Sequence, residues 1–326
     1  MARIALDAMG GDHAPAETVA GAVDAAARGV DVVLVGDGPR IEAELARHGA
    51  DMAIVHAPDI IGMGDDPARA LRERPQASIA VSAKLVASGD ADGFVSAGST
   101  GAAMAAAAIF IGRVKGASRP AIATIFPTPG TPTLVLDSGA NPDVKASQLA
   151  EFAIMGAVAA TALLGADPAR VGLLSIGEER GKGRDIEREA YVLIEAGPVH
   201  FVGNVEGRDV ATDKVDVIVT DGFTGNVFLK ATEGTAALIS SYVLEAIATL
   251  PDETQAAVLP ALAKVREKMD WETYGGAQLL GVRRPALIAH GSSSRRAVAN
   301  ALAMARDSAD KDLPGLVSAA LGGSEA

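Results

Sequence analysis

Short runs of β-branched and other apolar residues, each closing on Gly, Asp or Ser, alternate along the chain with longer segments of helical periodicity. The runs predict strands at residues 3–6, 31–35, 52–55, 93–96, 121–126, 133–137, 171–176, 199–202, 215–220 and 286–289. Between most of them, apolar residues recurring every three to four positions predict helices at 15–28, 67–88, 146–164, 185–195 and 226–250. This alternation specifies an α/β fold with an open, mostly parallel sheet covered by helices. Val215-Asp216-Val217-Ile218-Val219 is apolar at nearly every position, as expected of a strand buried on both faces. With no linker and no internal repeat, one domain over 1–326 is expected, with a helical pair protruding at 240–270. In 255–270, Val258, Leu259, Leu262, Val265 and Met269 share a face opposite Lys264, Arg266, Glu267 and Lys268, and Pro260 is expected to interrupt the helix.

Composition narrows the classes. The 326 residues are 49% hydrophobic, enough for a sizeable core, but aromatics are only 3%, so Ala, Val, Leu and Ile must build it. The absence of cysteine excludes disulfides, thiolate metal sites and a cysteine acyl-enzyme, and fits a reducing cytoplasm. A formal net charge of −12 argues against a nucleic-acid partner. Arg3 and Asp7 come too early for a signal sequence, and the longest apolar run, read as 101–112, is too short to span a bilayer. A cytoplasmic protein able to touch a membrane surface is expected.

Candidate chemistry sits where strands end. Asp7-Ala8-Met9-Gly10-Gly11-Asp12-His13-Ala14-Pro15 follows the first strand, and its paired glycines allow close backbone approach, although an ordinary strand-to-helix turn has the same composition. Ser96-Ala97-Gly98-Ser99-Thr100-Gly101 ends a strand and opens a small-residue helix, a natural anion cradle of backbone N–H groups and hydroxyls. A capping turn is the plainer alternative. Gly36-Asp37-Gly38 lacks the third glycine of a dinucleotide loop, since Ile41 stands there. The segment from Gly177 to Lys182 is one residue short of a nucleotide-triphosphate loop and is followed by Gly183. Three further polar segments, at 137–141, 204–209 and 221–226, are expected to gather amides, hydroxyls and acids at one sheet edge for a small anion. No metal-ligand spacing and no serine-hydrolase elbow is present.

These segments, in this order, resemble the PlsX-type phosphate acyltransferases of bacterial phospholipid synthesis. The matching stretches are 5–15, 91–103, 136–141, 171–183, 204–209, 215–230 and 274–294, and the likeness runs from residue 4 to about residue 300. A weaker likeness at 95–98, 141–153 and 171–175 is to phosphotransacetylases. That superfamily implies an α/β/α sandwich of the isocitrate dehydrogenase type, usually dimeric. The chain departs from the family pattern at Ser99, Ser175 and Arg184, where Asn is expected, and Arg184 adds a charge beside the expected site.

The resemblance implies transfer of a long-chain fatty acyl group from acyl-[acyl carrier protein] to inorganic phosphate, giving acyl phosphate for phosphatidic acid synthesis, with no cofactor and no metal. On it, phosphate is assigned to Ser96, Gly98, Ser99, Thr100 and Gly101, with Lys182 as cationic partner. His13, Lys182 and Asn226 are the catalytic candidates. Asp7, Gly10, Gly11, Asp12, Asp137, Asn141, Glu178, Asn204, Glu206, Asp221 and Thr224 are substrate-binding or orienting candidates. Lys264, Arg266, Lys268, Arg283 and Arg284 are candidates for docking the acidic carrier. A homodimer, a membrane surface and a downstream glycerol-phosphate acyltransferase are the expected partners. A short-chain, coenzyme A-dependent phosphotransacetylase and a non-catalytic membrane scaffold are the alternatives.

Overall fold

The computed structural model describes residues 1–128 and 130–322. In chain order its strands are β1 (Arg3–Asp7), β2 (Asp31–Gly36), β3 (Ala53–His56), β4 (Gly93–Ser96), β5 (Ala121–Phe126), β6 (Thr133–Leu136), β7 (Arg170–Leu174), β8 (His200–Val205), β9 (Val217–Val219), β10 (Ala277–Leu280) and β11 (Ala286–Ile288). The helices are α1 (Ala16–Ala27), α2 (Gly38–His48), α3 (Pro67–Glu73), α4 (Ser78–Ser88), α5 (Thr100–Ala106), α6 (Ala146–Ala159), α7 (Asp185–Glu195), α8 (Gly222–Ala248), α9 (Asp252–Met269), α10 (Arg295–Asp310) and α11 (Leu313–Ala320). α5 and α6 each continue through a π turn, to Ile111 and Leu164.

All these strands join one sheet in the order β3-β2-β1-β4-β11-β10-β5-β6-β9-β7-β8. The first five run parallel, and the last four run parallel to one another. Between the blocks, β10 and β5 make antiparallel pairs, so the second block points opposite to the first. The polar loops therefore leave at both ends of the sheet. The segments at 137–141, 204–209 and 221–226 leave together at one end, and the 7–15 and 96–101 loops leave at the other. The cause is the antiparallel centre, built partly from β10, whose Ala-Gln-Leu-Leu is too short and too mixed to be read as a strand.

Side-chain alternation assigns each strand residue to a layer. Ile4 and Leu6 enter a core with α1, α2 and α10, while Ala5, Val33 and Phe94 enter another with α3, α4 and α5. In the second block, Leu134, Leu136, Val171, Leu173 and Val217 pack beneath α6, α7 and α11, and Val135, Val205 and Ile218 form a smaller core that Phe228 and Leu229 of α8 cover. Small residues let the layers close: a Cβ on Gly156 of α6 would fall 2.6 Å from Val217 Cγ1.

Several element boundaries differ from the sequence pattern. The helix expected at 67–88 is two helices, separated where Pro75 stands. α2 is not among the helices that the periodicity predicts; Asp37 caps it by accepting the Arg40 N–H and Gly49 closes it in the left-handed region at φ 60°. α8 begins at Gly222, ahead of the expected residue 226, because Asp221 caps it by accepting the Thr224 N–H. α9 runs through Pro260 without stopping. Although Ser147, Gln148, Glu151 and Thr161 interrupt it, Ala146–Leu164, 19 residues, is the one helix among the described residues long and apolar enough to cross a membrane. It serves as a core helix, with Leu149, Phe152, Ala153 and Met155 fully buried against the second block.

α8 and α9 follow one another as a helical pair joined by a short turn at 249–251. Leu238, Ile239, Tyr242, Val243 and Leu244 of α8 and Val258, Leu259 and Val265 of α9 are exposed.

Candidate active site

Two clusters of loops hold the candidate residues. In the first, β1 and β4 lie side by side with Asp7 opposite Ser96, so their loops emerge together. Ser96 Oγ donates to Asp7 Oδ2 at 2.6 Å and accepts the Gly98 N–H at 3.0 Å. Burial pushes the Asp7 carboxyl above the ordinary carboxylate value, and hydrogen bonds from Ser78, Ser96 and the Met9 N–H pull it back only in part. Gly10 is packed into this triad. A Cβ there would lie 2.6 Å from Asp7 Oδ2, 2.7 Å from the Gly98 nitrogen and 3.0 Å from Ser96 Oγ. Gly11, at φ 112°, turns the chain so that the Asp12 N–H donates to the Gly291 carbonyl at 2.7 Å.

Ser99 caps the helix that follows, accepting the Ala102 N–H at 3.4 Å. The N–H groups of the first turn, at Thr100 and Gly101, have no partner within the helix and carry its positive end. Gly101 sits against Pro67, 2.8 Å from its Cγ to a built Cβ. The third wall is the loop after β11. There the Ala289 N–H donates to the Ser96 carbonyl, His290 Nδ1 and Ser292 Oγ are 2.8 Å apart, and the hydroxyl of buried Ser293 has no hydrogen-bond partner.

The second cluster lies at the carboxyl ends of β6, β7, β8 and β9. Asp137 is completely buried; its Oδ1 accepts the N–H groups of Ile122, Gly139 and Ala140, and its Oδ2 accepts the N–H and side-chain amide of Asn141. Burial nevertheless pushes its carboxyl up. The start of α8 locks against this loop, since a Cβ on Gly225 would overlap the Asp137 carbonyl at 1.9 Å. Burial also opposes the charge on Asp221, but the Thr224 N–H and Arg184 outweigh it and hold that carboxyl below its ordinary value. The 177–184 loop covers a polar floor. Asn204 Nδ2 donates to the Glu179 carbonyl at 2.8 Å, while Asn204 Oδ1 and Ser175 Oγ are buried without partners.

The sequence-predicted residues divide between these clusters. Asp7, Gly10, Gly11, Asp12, His13, Ser96, Gly98, Ser99, Thr100 and Gly101 assemble in the first, with His13 and Thr100 exposed. Asp137, Asn141, Glu178, Lys182, Asn204, Glu206, Asp221, Thr224 and Asn226 belong to the second. Lys182 lies over Gly177, its Cγ 3.2 Å from a built Cβ, on the opposite-running block from the Ser96 loop. Asn204 is the penultimate residue of β8 rather than a loop residue. Glu178 pairs with Lys214, and Glu206 with Arg208. The extra charge of Arg184 is taken up by Glu187 and Asp221. Lys264 is on α9, where the side chains of Arg266 and Lys268 lie outside the described residues. Arg283 and Arg284 line a depression shared with Asp92, Asp310 and Asp312, whose carboxylates offset them. His290, Gly291, Ser292 and Ser293 were given no role from the sequence, although they close the matching stretch 274–294. Among the described residues, no group of three metal-binding side chains occurs.

An open α/β/α sheet with polar, glycine-rich loops at its strand ends defines a fold of the phosphotransacetylase type. A phosphotransacetylase structure from Streptococcus pyogenes superposes with a TM-score of 0.63, covering 95% of this chain and 94% of that one, at 19% identity. The sequence carries the family. Residues 2–315 match the model described as fatty acid synthesis protein. The phosphate acyltransferase of Thermus thermophilus is 49% identical over 307 residues, covering 93% of this chain and 94% of the relative. That of Desulforamulus reducens is 44% identical over 317 residues, covering 96% and 95%. The chain belongs to the fatty acid synthesis protein family and is an acyltransferase.

Proposed function

We propose that this chain transfers a long-chain fatty acyl group from acyl carrier protein to inorganic phosphate, with orthophosphate held in the first cluster. The observation that carries this reading is the contact of Gly10 with Gly98: no side chain fits between them, so two backbones line the start of the α5 helix. Phosphate must approach within about 3 Å of a thioester carbonyl while donors stabilise the tetrahedral oxyanion. Neutral N–H groups and hydroxyls suit that task. A carboxylate would repel the dianion, and Asp7 is turned instead toward Ser96 and Met9. The thiolate leaves without strong acid help, since its pKa is about 8.5.

In this reading the acyl thioester is held at the first cluster, beside the phosphate. Exposed His13 meets it there, while Lys182 and Asn226, also exposed, stand at the other end of the sheet and take no part in that contact. Exposed Lys264 on α9 is the docking residue offered to an acidic carrier, because Asp92, Asp310 and Asp312 offset Arg283 and Arg284. The exposed apolar rows of α8 and α9 form a homodimer interface, and the turn at 249–251 rests on an anionic membrane at the inner face of the cell. The chain acts as a single domain over 1–326, and its acyl phosphate passes to a glycerol-phosphate acyltransferase. Purified protein, long-chain acyl-carrier and phosphate are expected to yield acyl phosphate and free carrier. Turnover restricted to acetyl-coenzyme A, or none with any thioester, would reject the reading.

A further inference from the structure

Resting on that reading, we infer that the acyl chain leaves the phosphate cradle over an apolar lip formed by Met63 and Ile60 and along the exposed face of helix Thr100–Ile111. The strap at 59–66, between β3 and α3, packs onto the loops of the first cluster. Met63 Cε lies 3.0 Å from a Cβ built on Gly291, whose carbonyl receives the Asp12 N–H. Met63 is nevertheless 54% exposed and Ile60 41% exposed, while Ile61 between them is buried in the core. The strap is stapled in place. Arg74 donates to the Ile60 carbonyl at 2.8 Å and to Asp65 Oδ2 at 2.7 Å, and that same carboxylate oxygen accepts the Gly62 N–H. Its two outward apolar side chains are therefore held beside the cradle rather than left to collapse into the core.

The helix that opens at the cradle continues the apolar surface. Gly101, Met104 and Ala105 are half-buried and Ala108 and Ile109 are exposed, so its outward face carries no polar side chain after Thr100. Eight residues at about 1.5 Å each carry this face roughly 12 Å from Gly101 to Ile109. A fatty chain is the occupant that needs such a surface: the thioester carbonyl is fixed at the phosphate, and the methylenes behind it gain only by leaving water. Covering the exposed part of Met63 favours a long chain over a short one by about five- to tenfold.

The test compares kcat/KM for acyl phosphate formation from butyryl, octanoyl and palmitoyl carrier thioesters in the wild type, Met63→Gln and Ala108→Trp. Met63→Gln keeps the length of the side chain, and Ala108 is at the surface, so both variants should fold. The expected result is a fall of about five- to tenfold for palmitoyl in each variant, with butyryl changed less than twofold. An equal fall for every chain length, or no change for palmitoyl, would overturn the inference. Wild-type enzyme that made no acyl phosphate from any thioester would instead reject the functional reading.

Discussion

Replacing Gly10 by alanine puts one methyl group where the first cluster has no room. The added Cβ would meet Asp7 Oδ2 at 2.6 Å and the Gly98 nitrogen at 2.7 Å, both inside the closest approach that real Cβ atoms make. Neither neighbour can yield cheaply: Asp7 is buried and bonded to Ser96, and Gly98 is backbone tied to the same hydroxyl. The overlap must be relieved by moving the 96–101 segment away from the 7–15 loop. Overpacking of this kind costs about 1–3 kcal/mol of stability. The catalytic cost should be larger in proportion, because a displacement of about 1 Å in a positioning element lowers rate about 100-fold. Steady-state kinetics with varied orthophosphate should show kcat/KM for phosphate reduced by about 100-fold in folded Gly10→Ala protein, with circular dichroism unchanged. Kinetics within threefold of wild type, in protein whose melting temperature has fallen, would refute the claim that these backbones form the phosphate cradle.

Removing the hydroxyl of Ser293, which is buried without a partner, breaks no internal hydrogen bond; Ser293→Ala should leave the melting temperature unchanged or raised while the phosphate KM rises up to about tenfold, and an unchanged KM would take the residue out of the site. Asp216 accepts from Arg170 and is held below its ordinary carboxylate value by it. Its contribution is therefore present above the unfolded-state pKa and disappears as pH falls through the lower folded value; Asp216→Asn should cost about 1.5–3 kcal/mol at neutral pH by denaturant titration, and the gap should close in acid. A glutamate in place of exposed Leu238 on α8 should convert a dimer to monomer in sedimentation, and an unaltered species would exclude this face from the interface.

The alternation of apolar runs was enough to place ten of the strands and the layers around them, because a buried parallel strand and an amphipathic helix each impose a local period. What escaped the pattern depends on distant partners. β10 is held as a strand by antiparallel hydrogen bonds to β5 and β11 rather than by its own composition. That strand also helps reverse the second half of the sheet, which is why Lys182 and Ser96 fall in different clusters although both follow strands. The Ser96 loop was legible as a strand-to-helix turn, since glycines and hydroxyls there separate a strand from a small-residue helix. The 289–294 loop was not, because its place beside Asp12 and Gly11 follows from β11 pairing with β4, a contact that no local signal announces. Signals of a different kind were present and unread at α2, where Asp37, Pro39 and Gly49 spell a capped helix.

The most direct test of the account is a crystal soaked in orthophosphate. The ion should be ordered between the 10–11 and 98–101 backbones, within hydrogen-bonding distance of the first N–H groups of the α5 helix. Orthophosphate bound at another surface, with these N–H groups left to water, would contradict it.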